Sequence, residues 1–435
     1  MGNNISKKNK DISKSKKQKK TKKEKKEKKE KKDKKERKSK KQTTDLNEPE
    51  IPSTSSNLNN LNNNTNNTND PNEFNESNNQ TQNEVNENPE DFDPETYHEE
   101  YYNPTNKKVT QEDFELLKVV GRGSFGKVMM VKKKDTNKVY AMKILKKEFV
   151  FQRKQVDHTK AEKAVLMKLN HPFIVKLHFA FQTADKLYMI LDFVNGGELF
   201  YHLKNDGHFT ENRAKFYAAQ IATVLLHIHS LGIIYRDLKP ENILLDHLGN
   251  IVITDFGLSK QLADGEQTST FCGTPDYLAP EVLEGEGHGA PVDWWSLGIL
   301  IYEMIVGMPP FYDDNLSVMY DNIRHKQPQF PRNMSFECKS IIMGLLEKDQ
   351  NERLGGEDVL KSEWFADIDF EKLKRKEYQP PWVPPVKNKL ETSQIDTEFT
   401  REDAVDTPPL EGEENPDAHF EGFTFVQTNI MDAQN

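Results

Sequence analysis

A group of polar residues at fixed spacing suits phosphoryl-transfer chemistry. The segment Tyr235–Asn242 reads YRDLKPEN and contains a carboxylate, a lysine and an amide. Asp237 can accept the proton of an attacking hydroxyl, Lys239 can neutralise charge on a transferred phosphoryl group, and Asn242 can hold a metal ion. Asp255, in an Asp-Phe-Gly sequence further along, adds a carboxylate suited to Mg²⁺. Taken alone, each motif has a plain polar turn as its alternative interpretation.

A glycine-rich segment upstream suits the binding of phosphate groups. Residues 121–128 read GRGSFGKV, a Gly-x-Gly-x-x-Gly-x-Val pattern between two predicted strands. Glycines let backbone N–H groups approach phosphate oxygens closely. A hairpin turn with three glycines is the alternative, and a dinucleotide site is disfavoured because a strand, not a helix, follows. The residues of the pattern are Gly121, Gly123, Ser124, Gly126 and Val128.

A lysine in the next predicted strand needs a negatively charged partner. Lys143 follows Ala141 in an apolar run, where an unpaired ammonium group is costly. Nucleotide phosphates would serve, and so would Glu162 on the following predicted helix. The alternative is an edge-strand lysine that points to water, which is the commoner fate of lysines.

The sequence around these residues predicts the elements that position them, a small strand-rich part followed by a larger helix-rich part. Residues 114–131 alternate apolar and polar side chains around glycines, and residues 139–145 read as another strand. Residues 211–231 have apolar side chains at helical spacing, and Gly232 ends that helix. The pattern predicts an α+β domain over residues 114–365, followed by a C-terminal extension over residues 366–435.

The overall net charge of −9 hides two regions of opposite sign. Residues 1–41 carry 22 Lys and Arg against 6 Asp and Glu, a net charge of +16, so the remaining residues carry −25. Residues 42–113 are rich in asparagine and read as a disordered acidic spacer. We therefore expect a basic arm, a disordered spacer and an acidic body.

Composition excludes several classes of protein. Two cysteines cannot form a disulfide framework or a structural zinc site. The chain lacks an apolar run long enough to span a membrane, and its N-terminus lacks the apolar region of a secretory signal. We expect a reducing intracellular compartment, the cytoplasm, and attachment to a membrane through the arm is a further hypothesis.

In their order and spacing, the motifs resemble a eukaryotic protein kinase domain over residues 114–365. Residues 279–281 (APE) complete the set, and residues 268–275 (TSTFCGTP) resemble the activation segment of the AGC group. Residues 420–425 (FEGFTF) resemble the hydrophobic motif of the AGC C-terminal tail. The tail is most similar to those of the ribosomal protein S6 kinase and protein kinase B branch.

The resemblance implies a bilobal kinase fold that binds ATP and Mg²⁺ between its lobes. Lys143 would pair with Glu162 and the phosphates, and Asp255 and Asn242 would hold the metal. Asp237 and Lys239 would act on the transferred group. Further nucleotide contacts implied by the resemblance come from Ala141, Asp192, Val194 and Glu198.

The resemblance also implies control by phosphorylation and a role in signalling. Upstream kinases would phosphorylate Thr270 in the activation segment, Thr407 in the turn motif and Thr424 in the hydrophobic motif. The phosphate on Thr270 would be held by Arg236, His158 and Lys260, which would order the segment.

By resemblance, acidic residues near the site would select substrates. Arginines upstream of the target Ser or Thr would meet Glu198, Glu241, Asp276 and Glu303. We expect a monomer that acts on proteins and does not bind nucleic acid. A catalytically silent pseudokinase scaffold and a small-molecule kinase are the alternatives, and the intact motifs argue against both.

The N-terminus fits the pattern for myristoylation at Gly2, with Ser6 at the sixth position. A single acyl chain binds membranes marginally, and the lysines of the arm would supply the second signal through anionic lipids. A solvated tail, a segment for nuclear targeting or nucleic-acid binding, and a docking tail for acidic partners are the alternatives that we keep open.

Overall fold

The computed structural model describes residues 109–123, 126–263, 265–406 and 420–427. Six of the strands in these ranges form one sheet with the order β1-β2-β3-β5-β4-β10, and β6 pairs with β9 and β7 with β8. The strands are β1 Phe114–Gly123, β2 Gly126–Lys133, β3 Val139–Lys146, β4 Leu177–Gln182, β5 Lys186–Asp192, β6 Ile233–Ile234, β7 Ile243–Leu245, β8 Ile251–Ile253, β9 Lys260–Gln261 and β10 Phe425–Val426.

Helices dominate the rest of the described chain, apart from short 3₁₀ turns such as Pro240–Asn242 and Pro275–Tyr277. The helices are α1 Lys147–Gln152, α2 Val156–Lys168, α3 Leu199–Asp206, α4 Glu211–Ser230, α5 Pro280–Glu284, α6 Pro291–Val306, α7 Leu316–His325, α8 Phe336–Leu345, α9 Glu357–Leu360, α10 Phe370–Lys374 and α11 Thr397–Thr400. None of them combines the length and the apolar character needed to cross a bilayer.

The small lobe is built on the alternating pattern of its first strands. β1, β2 and β3 pair antiparallel in sequence order, and Val119, Met129 and Val131 point into a buried apolar cluster. Alternation places one face of each strand in the core and leaves the other for solvent or ligand. The strands predicted within residues 114–131 and 139–145 are confirmed.

The large lobe is organised around α4 and α6, which pack against each other. Thr210 caps α4 by accepting a hydrogen bond from the Arg213 backbone N–H at 3.3 Å, and Gly232 follows its end with a φ of 67°. Positive φ favours glycine, which explains why the helix stops where the sequence indicates. The α+β, two-lobed fold is confirmed.

The boundary of the N-terminal spacer differs from the prediction. Residues 109–113 were assigned to the disordered spacer, but Val109 packs against the small-lobe cluster and Gln111–Asp113 form a 3₁₀ turn. The Lys134 N–H donates to the Asp113 carbonyl at 2.9 Å, which ties this turn to the β2–β3 connection. A single apolar residue among polar ones gave no periodic signal that would have shown this.

The C-terminal extension packs on both lobes. Trp382 lies against the large lobe, where the Arg213 guanidinium is 4.1 Å from the centre of its ring and 3.8 Å from that of Phe209. At the other end, β10 pairs antiparallel with β4, with Phe425 opposite Ala180. The described parts of the extension therefore belong to the folded domain.

Candidate active site

A buried ion pair joins the sheet of the small lobe to α2. Lys143 on β3 has its Nζ atom 2.5 Å from Glu162 Oε1 on α2 and 3.8 Å from Asp255 Oδ1. Burial favours the neutral amine, but the two carboxylates outweigh it and raise the pKa of Lys143. The site therefore presents a fixed positive charge beside an acidic group.

A second group of hydrogen bonds is centred on Asp237, after β6. The Lys239 ammonium donates to both carboxylate oxygens of Asp237 at 2.9 and 2.8 Å, and the Asn242 amide donates to Asp237 Oδ2 at 2.7 Å. Lys239 also donates to Thr274 Oγ1 at 3.1 Å, in the activation segment. An oriented carboxylate beside a cation can position a hydroxyl and accept its proton.

The backbone that carries these groups is held by Asp293 on α6, which the sequence analysis missed. Asp293 is fully buried, and its carboxylate accepts from the Tyr235 N–H at 2.9 Å and the Arg236 N–H at 2.8 Å. His229 Nε2 contacts the same carboxylate at 2.8 Å. The signal for it was present, since an aspartate between valine and two tryptophans in a helix must find partners.

Two residues of the site have a left-handed backbone conformation, which residues other than glycine rarely adopt. Arg236 has a φ of 65° and Asp255 a φ of 56°. Such strain persists where the surrounding structure imposes it, and it concentrates at functional sites. The two strained residues are Arg236, which precedes Asp237 in the sequence, and Asp255, whose carboxylate lies near Lys143.

The oxygen donors at the site suit Mg²⁺. The Asp255 side chain is 54% exposed, so its carboxylate is accessible to a bound ion. The Asn242 amide nitrogen is engaged by Asp237, which leaves the amide oxygen as the atom that a cation would bind. Carboxylate and amide oxygens are the ligands that Mg²⁺ prefers.

Two further predicted nucleotide-binding elements are the glycine-rich hairpin of β1 and β2 and the C-terminal end of β5, at Asp192. At Gly126 a Cβ atom would lie 1.8 Å from the Ile144 carbonyl oxygen, so glycine is required there for the close approach of β2 to β3. The Asp192 carboxylate contacts His178 Nε2 at 2.7 Å, and the Asp192 backbone N–H donates to the Lys176 carbonyl. The Asp192 side chain and N–H are therefore already engaged within the protein, and Val194, two residues further on, is partly buried.

Four predicted acidic residues fall near one another. Burial, together with the charges of Glu241 and Asp396, raises the pKa of Glu198 at the start of α3. Glu303 on α6 accepts a hydrogen bond from the Tyr277 hydroxyl, and burial raises its pKa to about 7. The charges of Glu241 and Asp276 contribute to that shift, and burial also raises the pKa of Asp276.

The activation segment exposes Thr270 next to a small polar network. Thr270 Oγ1 lies 3.2 Å from Thr268 Oγ1, which accepts from Lys260 Nζ at 3.3 Å. Arg236 Nε donates to the Leu258 carbonyl at 2.8 Å. His158 contacts Gln155 at 2.6 Å instead, so among the described residues Lys260 joins this network and His158 does not.

The aromatic residues of the C-terminal motif insert beside α2. Phe420 and Phe423 are buried, and Thr424 between Phe423 and the strand β10 is exposed. Lys163 on α2 donates to the Gly422 carbonyl at 2.8 Å, and burial lowers its pKa to about 8. The tail is thus fastened to the helix that carries Glu162.

Three predicted site residues lie outside the described residues, and the structure adds nothing about them. They are the candidate acylation site Gly2, the loop residue Ser124 and the candidate phosphosite Thr407.

A two-lobed fold with a Lys–Glu pair, an oriented aspartate and two oxygen donors for a metal defines a protein kinase. The family model described as protein kinase domain matches residues 114–365, and the model described as protein kinase C terminal domain matches residues 386–425. The chain belongs to the protein kinase family and, within it, to the AGC group of serine/threonine kinases.

Several curated kinases are similar over most of the chain. "Protein kinase 2" of Dictyostelium discoideum is 54% identical over 337 residues, which cover 76% of this chain and 70% of that protein. The RAC family serine/threonine-protein kinase homolog of the same organism is 51% identical over 325 residues, 74% of this chain and 73% of that protein. Serine/threonine-protein kinase Sgk1 of Bos taurus is 49% identical over 304 residues, 68% and 70% of the two chains.

Proposed function

We propose that this kinase transfers the γ-phosphoryl group of ATP, bound with Mg²⁺, to Ser or Thr in proteins with upstream arginines. The observation that carries the proposal is the hydrogen-bonded group of Asp237, Lys239 and Asn242 beside the exposed Asp255 carboxylate. A peptide panel with wild-type enzyme tests it. Incorporation of phosphate that does not depend on arginine, or no incorporation at all, would contradict it.

In this proposal catalysis comes from positioning and charge rather than covalent chemistry. Asp237 orients the attacking hydroxyl and takes its proton, and Lys239 offsets charge on the transferred group. Lys143, kept protonated by its carboxylate neighbours, holds the nucleotide phosphates. Asp255 and Asn242 would hold Mg²⁺, which neutralises phosphate charge when bound.

Arginine selection is expected to strengthen between pH 6 and pH 8. The pKa of Glu303 is raised to about 7, so its carboxyl is mostly neutral below that pH and mostly charged above it. A charged carboxylate attracts a substrate arginine, whereas a neutral one does not. The measurement is the ratio of kcat/KM for an arginine peptide to that for its alanine counterpart at each pH.

The ratio cancels pH effects that act on both peptides alike. Glu303→Gln removes the titrating group while keeping the hydrogen-bonding shape of the side chain. We expect a flat, lower ratio in this variant. An equally steep rise in Glu303→Gln enzyme would exclude Glu303 as a reader of arginine.

Activity is expected to be low until Thr270 and Thr424 are phosphorylated. Both side chains are exposed, and Lys260 and Lys163 lie close to their respective segments. A phosphate adds nearly two negative charges that such cations can hold, which would order each segment. The Thr270→Ala, Thr424→Ala enzyme should stay inactive after treatment with activating kinases, and an active double variant would contradict this.

Anchoring at an anionic membrane through Gly2 and the basic arm is part of the proposal. It is supported by the acylation pattern and the net charge of +16 in residues 1–41. Release of Gly2→Ala protein from the membrane to the soluble fraction is the expected result, and unchanged fractionation would contradict it.

A further inference from the structure

A single carboxylate of the C-terminal extension contacts both sides of the glycine-rich hairpin. Glu402 Oε1 lies 3.3 Å from Arg122 Nη1, and Glu402 Oε2 lies 3.1 Å from Lys127 Nζ. Arg122 is near the end of β1 and Lys127 near the start of β2, so the two cations flank the turn between these strands. In the register of the hairpin they are direct partners.

The extension holds Glu402 in place through contacts on either side of it. Phe399 on α11 packs against the small-lobe cluster, and Lys118 on β1 donates to Thr392 Oγ1 at 3.0 Å. Beyond Glu402, the Asp406 carboxylate accepts from Lys186 Nζ at 3.0 Å. A side chain on a segment that is anchored on both sides loses less entropy when it forms an ion pair than a side chain on a free segment does.

We infer that Glu402 is a positioning residue that fixes the glycine-rich hairpin over the bound nucleotide. Without it, two neighbouring positive charges on paired strands repel each other, and the hairpin loses its connection to the extension. The nucleotide then meets the binding-competent hairpin in a smaller fraction of molecules, and its apparent affinity falls by that fraction. The inference rests on the proposed binding of ATP beneath this hairpin.

The contact with Lys127 carries more of the effect than the contact with Arg122. The side chains of Glu402 and Lys127 are 25% and 20% exposed, whereas that of Arg122 is 60% exposed. Water and salt screen an exposed pair more strongly than a shielded one. Substitution of Lys127 should therefore reproduce most of the effect of substituting Glu402.

The test compares Glu402→Gln with Glu398→Gln in the full chain. Glu398 lies four residues earlier, is exposed and forms no ion pair with any residue that the structure describes, so it controls for charge alone. We expect Glu402→Gln to weaken Mg·ADP binding, measured by calorimetry, and to raise KM for ATP, each about three- to fivefold. Glu398→Gln, and kcat in both variants, should stay at the wild-type value.

Two further measurements separate positioning from a general loss of structure. The affinity difference between wild type and Glu402→Gln should shrink in 1 M salt, because charge interactions are screened there. Lys127→Met combined with Glu402→Gln should be only slightly weaker than Lys127→Met alone, because both substitutions remove the Lys127–Glu402 contact and only the exposed Arg122 contact is lost in addition. Additive effects, or a lower kcat with unchanged nucleotide affinity, would overturn the inference.

The outcomes for Glu402 and for the proposed function are distinguishable. If wild-type enzyme transfers phosphate and Glu402→Gln binds Mg·ADP as tightly as Glu398→Gln does, the inference about Glu402 is wrong and the proposed function stands. If wild-type enzyme transfers no phosphate, the proposed function is wrong, while calorimetry with Mg·ADP still decides whether Glu402 positions the hairpin.

Discussion

Asp255→Asn is expected to lower the rate of phosphoryl transfer by about a hundred- to a thousandfold. The substitution removes a negative charge from an exposed position 3.8 Å from Lys143 while keeping the size of the side chain. Asparagine is preferable to alanine because Asp255 has a φ of 56°, which asparagine tolerates. A neutral amide is a much weaker ligand for Mg²⁺ than a carboxylate.

Single-turnover phosphate transfer from ATP measures this effect directly. Asp321→Asn, on the exposed surface of α7, makes the same chemical change away from the site and should transfer at the wild-type rate. The thermal midpoint should hardly change in either variant. Transfer by Asp255→Asn at the wild-type rate would show that this carboxylate has no part in catalysis, and a wild type without transfer would favour a silent scaffold.

Motifs with short spacing made much of the site predictable from the sequence. Asp237, Lys239 and Asn242 lie within six residues, so one loop conformation brings them together. The partner of Lys143 was also predictable, because a lysine in an apolar strand needs a carboxylate and Glu162 is on the next long helix. The roles assigned to these residues stay predictions until activity is measured.

Contacts between distant parts of the chain could not be predicted in this way. Arg122 and Glu402 are separated by 280 residues, and nothing in the local sequence of either indicates the other. The contact of Arg213, which lies between the rings of Phe209 and Trp382, with Trp382 could not be predicted either, because these two residues are also far apart in the sequence. Periodicity shows which face of an element is buried, whereas the partner depends on the path of the whole chain.

Arg353→Met is expected to reduce the free energy of unfolding by about 3–5 kcal/mol. Arg353 donates to Glu281 through Nη1 at 2.6 Å and through Nη2 at 2.8 Å, and both side chains are almost fully buried. Removal of the guanidinium leaves the Glu281 carboxylate buried without its cation, and the Glu347 and Pro291 carbonyls each lose a donor. The burial of this ion pair makes it costly to break.

Urea unfolding followed by circular dichroism measures this loss, and Arg375→Met is the matched control. Arg375 pairs with Glu377 at 2.7 Å, but both side chains are about half exposed, so the same substitution should leave stability within experimental error. Adding Glu281→Leu to Arg353→Met should recover part of the loss, because it removes the unpaired buried charge. The recovery should be partial, since the Glu347 and Pro291 carbonyls stay without their donor. If Arg353→Met were as stable as Arg375→Met, the buried pair would not contribute to the stability of the large lobe.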